Sequence, residues 1–104
     1  MKTKELTKEE MATMFDTLFD QKFPVEMRGT YFKVNGEKRL FRGTLNYADE
    51  NVKGVGISNT EVFERHQTVS YYDAAQNDWR RFKLENLDWF QLIDGKYLFK
   101  AKDD

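Results

Sequence analysis

Met11, Met14, Phe15, Leu18 and Phe19 recur at three- and four-residue spacing, which draws one apolar stripe along a helix, while Glu9, Asp16 and Asp20 fall off it. Thr7 with Glu10 three residues on forms a capping box, and Leu6 before it with Met11 beyond makes the matching hydrophobic staple. The pattern predicts a helix over residues 7–20. Pro24 and its restricted predecessor Phe23 end any helical run and turn the chain toward extended structure.

From Val25 the period becomes two. Val25, Met27 and Tyr31 share one parity and Phe32 and Val34 the other, so the first strand is expected either to bulge near Gly29 or to be buried in part on both faces. Asn35-Gly36 is a hairpin signal, read as a type I′ turn with positive φ at both central residues. The returning strand, residues 38–47, should turn Phe41, Gly43, Leu45 and Tyr47 inward. A polar break at 48–51 precedes a short apolar run, 52–57, that Gly54 and Gly56 weaken or bend. Residues 58–60 read as a turn, and 61–67 fit either a short helical turn or a loop.

Thr68 to Asp73 and Trp79 to Leu84 form a second expected hairpin across a loop at 74–78. In its return strand Arg80, Phe82 and Leu84 take one face and Trp79, Arg81 and Lys83 the other. Leu87 to Ile93 alternates again, Asp94-Gly95 makes a tight turn, and Tyr97 to Phe99 is a last strand before a frayed, charged tail from Lys100. The expectation is a mainly β, α+β fold forming a single domain over residues 1–104. Five to six strands would curl into a small sheet or barrel over about 25–100, with the amphipathic helix covering its open side.

Composition narrows the chemistry. With 104 residues the chain can bury one core, and an aromatic content of 15% supplies bulk to a small interior. There is no Cys, which excludes disulfides, thiolate nucleophiles and Cys-based metal sites. His66 is the single imidazole, read as a solvated residue beside Glu64 and Arg65, and no nucleophile elbow accompanies it. Adjacent carboxylates such as Glu9-Glu10 and Asp49-Glu50 point apart in a helix or strand, which argues against shared acid–base work. Gly54-Val55-Gly56 lacks the Lys and Ser or Thr of a phosphate loop. The chain therefore reads as a non-enzyme without metal or cofactor. With no signal-like or spanning apolar segment, it is expected in the cytoplasm, away from membranes.

Net charge is −1, but its distribution is uneven. Residues 28–47 set Arg28, Lys33, Lys38, Arg39 and Arg42 against Glu37 alone, a net +4, and residues 79–84 add +3, leaving −8 on the rest. A local basic patch on an acidic body follows. Lys33, Lys38, Arg39 and Arg42 around one hairpin, with Arg80, Arg81 and Lys83 on another strand, would meet phosphates if the fold joined them, and an exposed Tyr31 or Trp79 would stack a base. The plainer reading is that Trp79 and Phe82 are core and that the cations solvate strands or protect an edge.

Tyr31-Phe32-Lys33-Val34-Asn35-Gly36-Glu37-Lys38-Arg39, followed by Gly43-Thr44-Leu45, resembles the opening hairpin of small phage-associated proteins with an SH3-like, Sm-like β-barrel, a group related to WYL domains. Val69-Ser70-Tyr71-Tyr72-Asp73 and Trp79-Arg80-Arg81-Phe82 look like a later strand pair of that group. The likeness spans about residues 28–93. The Trp-Tyr-Leu triplet that names WYL domains is absent, so their ligand sensing does not transfer. The resemblance implies the barrel fold, a phage or mobile-element origin, and nucleic-acid or regulatory partners. The expected function is a phage-type binding module, monomer or homodimer, that contacts RNA or DNA through Lys33, Lys38, Arg39, Arg42, Trp79, Arg80, Arg81 and Lys83. The alternative is a phage-encoded factor that binds a host protein and inhibits or redirects an enzyme, a defence protein or a transcription protein.

Overall fold

The computed structural model describes residues 2–21, 23–47 and 59–102. In chain order these form β1 (Lys2–Leu6), α1 (Lys8–Asp20), β2 (Val25–Phe32), β3 (Lys38–Leu45), α2 (Asn59–His66), β4 (Thr68–Asp73), β5 (Asp78–Lys83), a 3-10 turn (Leu84–Asn86), β6 (Leu87–Leu92) and β7 (Tyr97–Ala101). The strands make one sheet in the order β1-β7-β6-β2-β3-β4-β5. Seven strands replace the expected five to six. The sheet is open among the described residues, with β1 and β5 at its edges, so a closed barrel is not what the pairing forms. The expected strand with Gly54 and Gly56, the polar break before it and Ser58 lie outside the described residues, whereas Asn59 and Thr60, expected in a turn, open α2.

The added strand is β1, which runs parallel to β7 from Lys2 opposite Tyr97 to Leu6 opposite Ala101. Its first four residues are exposed, so its sequence carries no alternation to betray a strand. The backbone ladder and Lys4, whose Nζ lies 4.8 Å from the Tyr97 ring centroid, hold it instead. The same pairing corrects the expected frayed tail, because Lys100 and Ala101 belong to β7 and the Lys102 N–H donates to the Leu6 carbonyl.

The capping box is formed as read. The Glu10 N–H donates to Thr7 Oγ1 at 3.1 Å and the Thr7 N–H to Glu10 Oε1 at 3.0 Å. From that start α1 buries Met11, Phe15, Leu18 and Phe19. A second helix, α2, settles the ambiguous stretch at 61–67. Phe63 is its buried residue, with ring centroid 5.2 Å from Phe19 and 6.0 Å from Phe15, while Phe15 lies 5.0 Å from Phe90 on the sheet.

The hairpin joining β2 and β3 falls where Asn35-Gly36 placed it, but its turn is not type I′. Of its central residues only Gly36 has positive φ, at 88°. The Gly36 N–H donates to the Lys33 carbonyl and the Lys33 N–H to the Glu37 carbonyl, closing a longer loop in which glycine takes the left-handed position. The bulge expected near Gly29 appears as a register shift between Thr30 and Tyr31 in the β2–β6 pairing. Phe41 and Leu45 turn inward as expected, whereas Tyr47 is 39% exposed.

Strands β3 and β4 share a single registered pair, Thr44 opposite Tyr72, so the ladder there is minimal. Side chains join the two hairpins instead. Tyr31 stacks on Phe82 at 4.7 Å, and Phe41 lies 5.0 Å from Tyr71 and 5.3 Å from Phe82. Such ring pairs contribute about 0.5–1.5 kcal/mol each beyond their area burial. Tyr71 is fully enclosed and lies so close to Gly43 that any Cβ there would overlap its ring. Its hydroxyl shares a hydrogen bond of 3.1 Å with that of Tyr31. Burial first, and then that bond, push the Tyr71 phenol far above its ordinary value of 10.0.

Two predictions test this joint. Gly43→Ala is expected to destabilise the fold by about 1–3 kcal/mol in urea unfolding, because the enclosed ring cannot give way. Tyr71→Phe should cost about 1–3 kcal/mol by stranding the Tyr31 hydroxyl, and adding Tyr31→Phe should recover most of it. Because the folded state holds the Tyr71 proton more tightly than the unfolded chain, its contribution is complete below the ordinary value and is lost as pH rises above it. Unfolding midpoints compared at about pH 9 and about pH 11 should therefore fall more in the native chain than in the Tyr31→Phe/Tyr71→Phe variant.

Candidate functional site

The aromatic joint brings the turn of the β2–β3 hairpin beside strand β5. Between them, with α2 closing one side, lies a cleft of about 850 Å³, within the range of ligand-sized pockets. Tyr31 and Phe82 reach its floor from the core, and Val62 of α2 and Phe32 at the end of β2 add apolar wall. Lys33 and Arg39 line it from the hairpin, and Arg81 and Lys83 from β5. No carboxylate is among its described lining residues, and His66, Asn35, Thr68 and Asn86 supply its remaining polar groups.

Lys33 is held in a long ion pair to Glu37, 3.6 Å away. Arg39, Arg81 and Lys83 make no ion pair among the described residues. Cations gathered without counter-charges raise the local potential and favour an anion in the cleft. The guanidinium groups of Arg39 and Arg81 suit the planar, two-oxygen edge of a phosphate.

The other four residues expected in the patch lie elsewhere. Lys38 does not line the cleft but sits opposite Phe32 across the hairpin, with Nζ 3.2 Å from Asp88 and 5.4 Å from the Phe32 ring centroid. Arg42 is gripped by Glu26, with its Nε and one terminal nitrogen both 2.9 Å from the same oxygen. Arg80 shares the inward parity of Phe82 and is 30% exposed, with Nε 3.3 Å from Asp73 Oδ2 but not aligned as a hydrogen bond. Trp79 is half-buried and packs edge-on against Tyr72 at 5.7 Å and Tyr47 at 6.2 Å. Its Nε1 is buried with no hydrogen-bond partner among the described residues.

The expected stacking platforms change accordingly. Tyr31 is 4% exposed with its hydroxyl committed to Tyr71, and Trp79 leans on two tyrosines; Phe32, at 40% exposure, is the accessible ring at the cleft. Period-2 alternation separated Phe32 from Tyr31 but did not say which of the two parities meets solvent. His66, read as a solvated loop residue, is the exposed last residue of α2 and lines the cleft. Val62, Phe63 and His66 fit helical spacing, but eight residues of mixed polarity do not separate helix from loop. No group of three or more potential metal ligands occurs among the described residues. None of the described helices is long and apolar enough to cross a membrane.

Fold and cleft together define a small, mostly β domain with two helices and a cation-lined concavity. A family model described as WYL_2, Sm-like SH3 beta-barrel fold matches residues 25–88, more than half of the chain, and the chain belongs to that family. No curated protein and no solved structure matches it. The matched span runs from β2 into the start of β6 and contains both hairpins that build the cleft, while β1, α1 and β7 lie outside it.

Arg42 and Glu26 are both well exposed on the outer face, their side chains 67% and 46% accessible. Arg42→Gln is therefore expected to change stability by less than about 1 kcal/mol in urea unfolding.

Proposed function

We propose that this domain binds single-stranded RNA or DNA in the cleft between the β2–β3 hairpin and β5. The observation that carries the reading is a concavity lined, among the described residues, by four cations and no carboxylate, with an exposed phenylalanine at its wall. A single strand supplies what that surface lacks: phosphates for Arg39, Arg81 and Lys83, and a flat base for Phe32. A duplex keeps its bases stacked inside and presents a convex backbone, which a cleft closed on one side by α2 does not fit. The chain's net charge of −1 does not oppose this, because screening over about 8 Å leaves the local cations to set the potential.

Fluorescence anisotropy with a labelled oligonucleotide tests the proposal. Affinity should fall as salt rises from about 50 to 200 mM, with a log–log slope of about −0.7 per phosphate neutralised. Arg39→Gln/Arg81→Gln/Lys83→Gln should weaken binding at least about tenfold and flatten that slope, whereas Arg42→Gln should leave both nearly unchanged. Absence of binding at about 50 mM salt, where the electrostatic contribution is large, would overturn the reading. Equal losses from the cleft and outer-face variants would do the same.

A further inference from the structure

A second concavity, about 590 Å³, runs along α1 and shares no lining residue with the cationic cleft. Its floor is apolar: Leu6 and Leu18 are buried there, while Met14 of α1, Leu92 of β6 and Phe99 of β7 remain half-exposed. The two threonines beside it ask for no partner, since the Thr13 hydroxyl donates to the Glu9 carbonyl at 3.0 Å and that of Thr17 to the Thr13 carbonyl at 3.1 Å. Its charged lining residues, Glu9 and Glu10, are both acidic. The Thr7 backbone N–H and then its hydroxyl hold the Glu10 carboxyl below its usual range, with a smaller contribution from the Lys102 charge. Asp16 and Asp20 extend the acidic character along the exposed side of α1, whose last turn has no basic residue.

The backbone around the groove decides what form an occupant takes. Strand β7 is paired on both sides, by β1 and β6, and α1 satisfies its own ladder; the open edge of the sheet on this side is that of β1, which contributes only Leu6 to the groove. An occupant seated on Met14, Leu92 and Phe99 meets no unpaired strand, so it has to satisfy its own backbone groups, and a helix does so. Apolar side chains would enter between α1 and the sheet, and cationic ones would meet the glutamates.

We propose that the groove between α1 and strands β6–β7, lined by Met14, Leu92 and Phe99 and rimmed by Glu9 and Glu10, docks a cationic amphipathic helix of a partner protein. The charge of the rim selects the sign of the partner, and the apolar floor supplies the contact area. This surface is independent of the cationic cleft, so the domain would hold an anionic ligand and a basic protein segment at separate places.

The test is a methyl and backbone NMR titration of the full chain with a synthetic helical peptide that carries leucines at i, i+3, i+4 and i+7 and lysines on the flanking positions. Shifts are expected at Met14, Leu92 and Phe99 and not at Arg81 or Lys83. A peptide with glutamate in place of each lysine should bind at least about fivefold more weakly, as should the Glu9→Lys protein toward the lysine peptide. Met14→Lys should block the groove, with circular dichroism confirming that the variant stays folded. No shift up to about 1 mM peptide, a range that covers weak transient contacts, would overturn the proposal. So would equal binding of the glutamate peptide, shifts confined to the cationic cleft, or concentration-dependent shifts of the same methyls without peptide, which would assign the groove to a second copy of the chain.

Discussion

Tyr71 is the residue through which the two hairpins of this domain meet. The β3–β4 ladder contributes one registered pair, too little to fix how β4 and β5 sit over β2 and β3. What fixes them is a ring that fits only against a residue without a side chain, Gly43, and whose hydroxyl is satisfied only by Tyr31. Both conditions are short-range and directional, so together they admit one arrangement, with Phe41 and Phe82 filling the remaining faces. Interiors packed to crystal-like density tolerate little displacement, and the hydroxyl pair adds the cost of an unmade buried bond to any sliding.

The cationic cleft follows from that joint. Arg81 and Lys83 lie on the same short strand as Phe82, and Lys33 and Arg39 flank the hairpin that carries Tyr31. Once Tyr31 and Phe82 stack, the charged neighbours of each converge. The aromatic core thus does two jobs: it closes the small interior of a 104-residue chain, and it sets the separation between two groups of cations that the sequence keeps about forty residues apart.

Charge is segregated by element more than by total. The net value of −1 averages, among the described residues, a cleft with no lining carboxylate against a groove with no lining cation. Four cations outside the cleft meet a carboxylate where they stand, Arg42 with Glu26, Lys38 with Asp88, Arg65 with Glu61 and Arg80 with Asp73. Arg39, Arg81 and Lys83 converge on one concavity with no ion pair among the described residues, and a surface of one sign selects the charge of its partner.

Where local chemistry suffices, the sequence alone determined the result. The α1 start followed from Thr7 and Glu10, its buried stripe from the spacing of Met11 to Phe19, and the β4–β5 hairpin from alternation of apolar and polar residues. The positions of both glycine-bearing turns were legible too, although Gly36 adopts a longer loop than the dipeptide suggested. Strand β1 was not legible, because a strand exposed along four of its five residues is specified by the neighbour it pairs with. Nor was the division of the basic residues: Lys38 and Arg39 are adjacent in sequence, yet alternation sends one to Asp88 and the other to the cleft. Composition located the cations, but only the tertiary structure decided which of them stand together without a counter-charge. That outcome depends on carboxylates from distant strands, which no local pattern encodes.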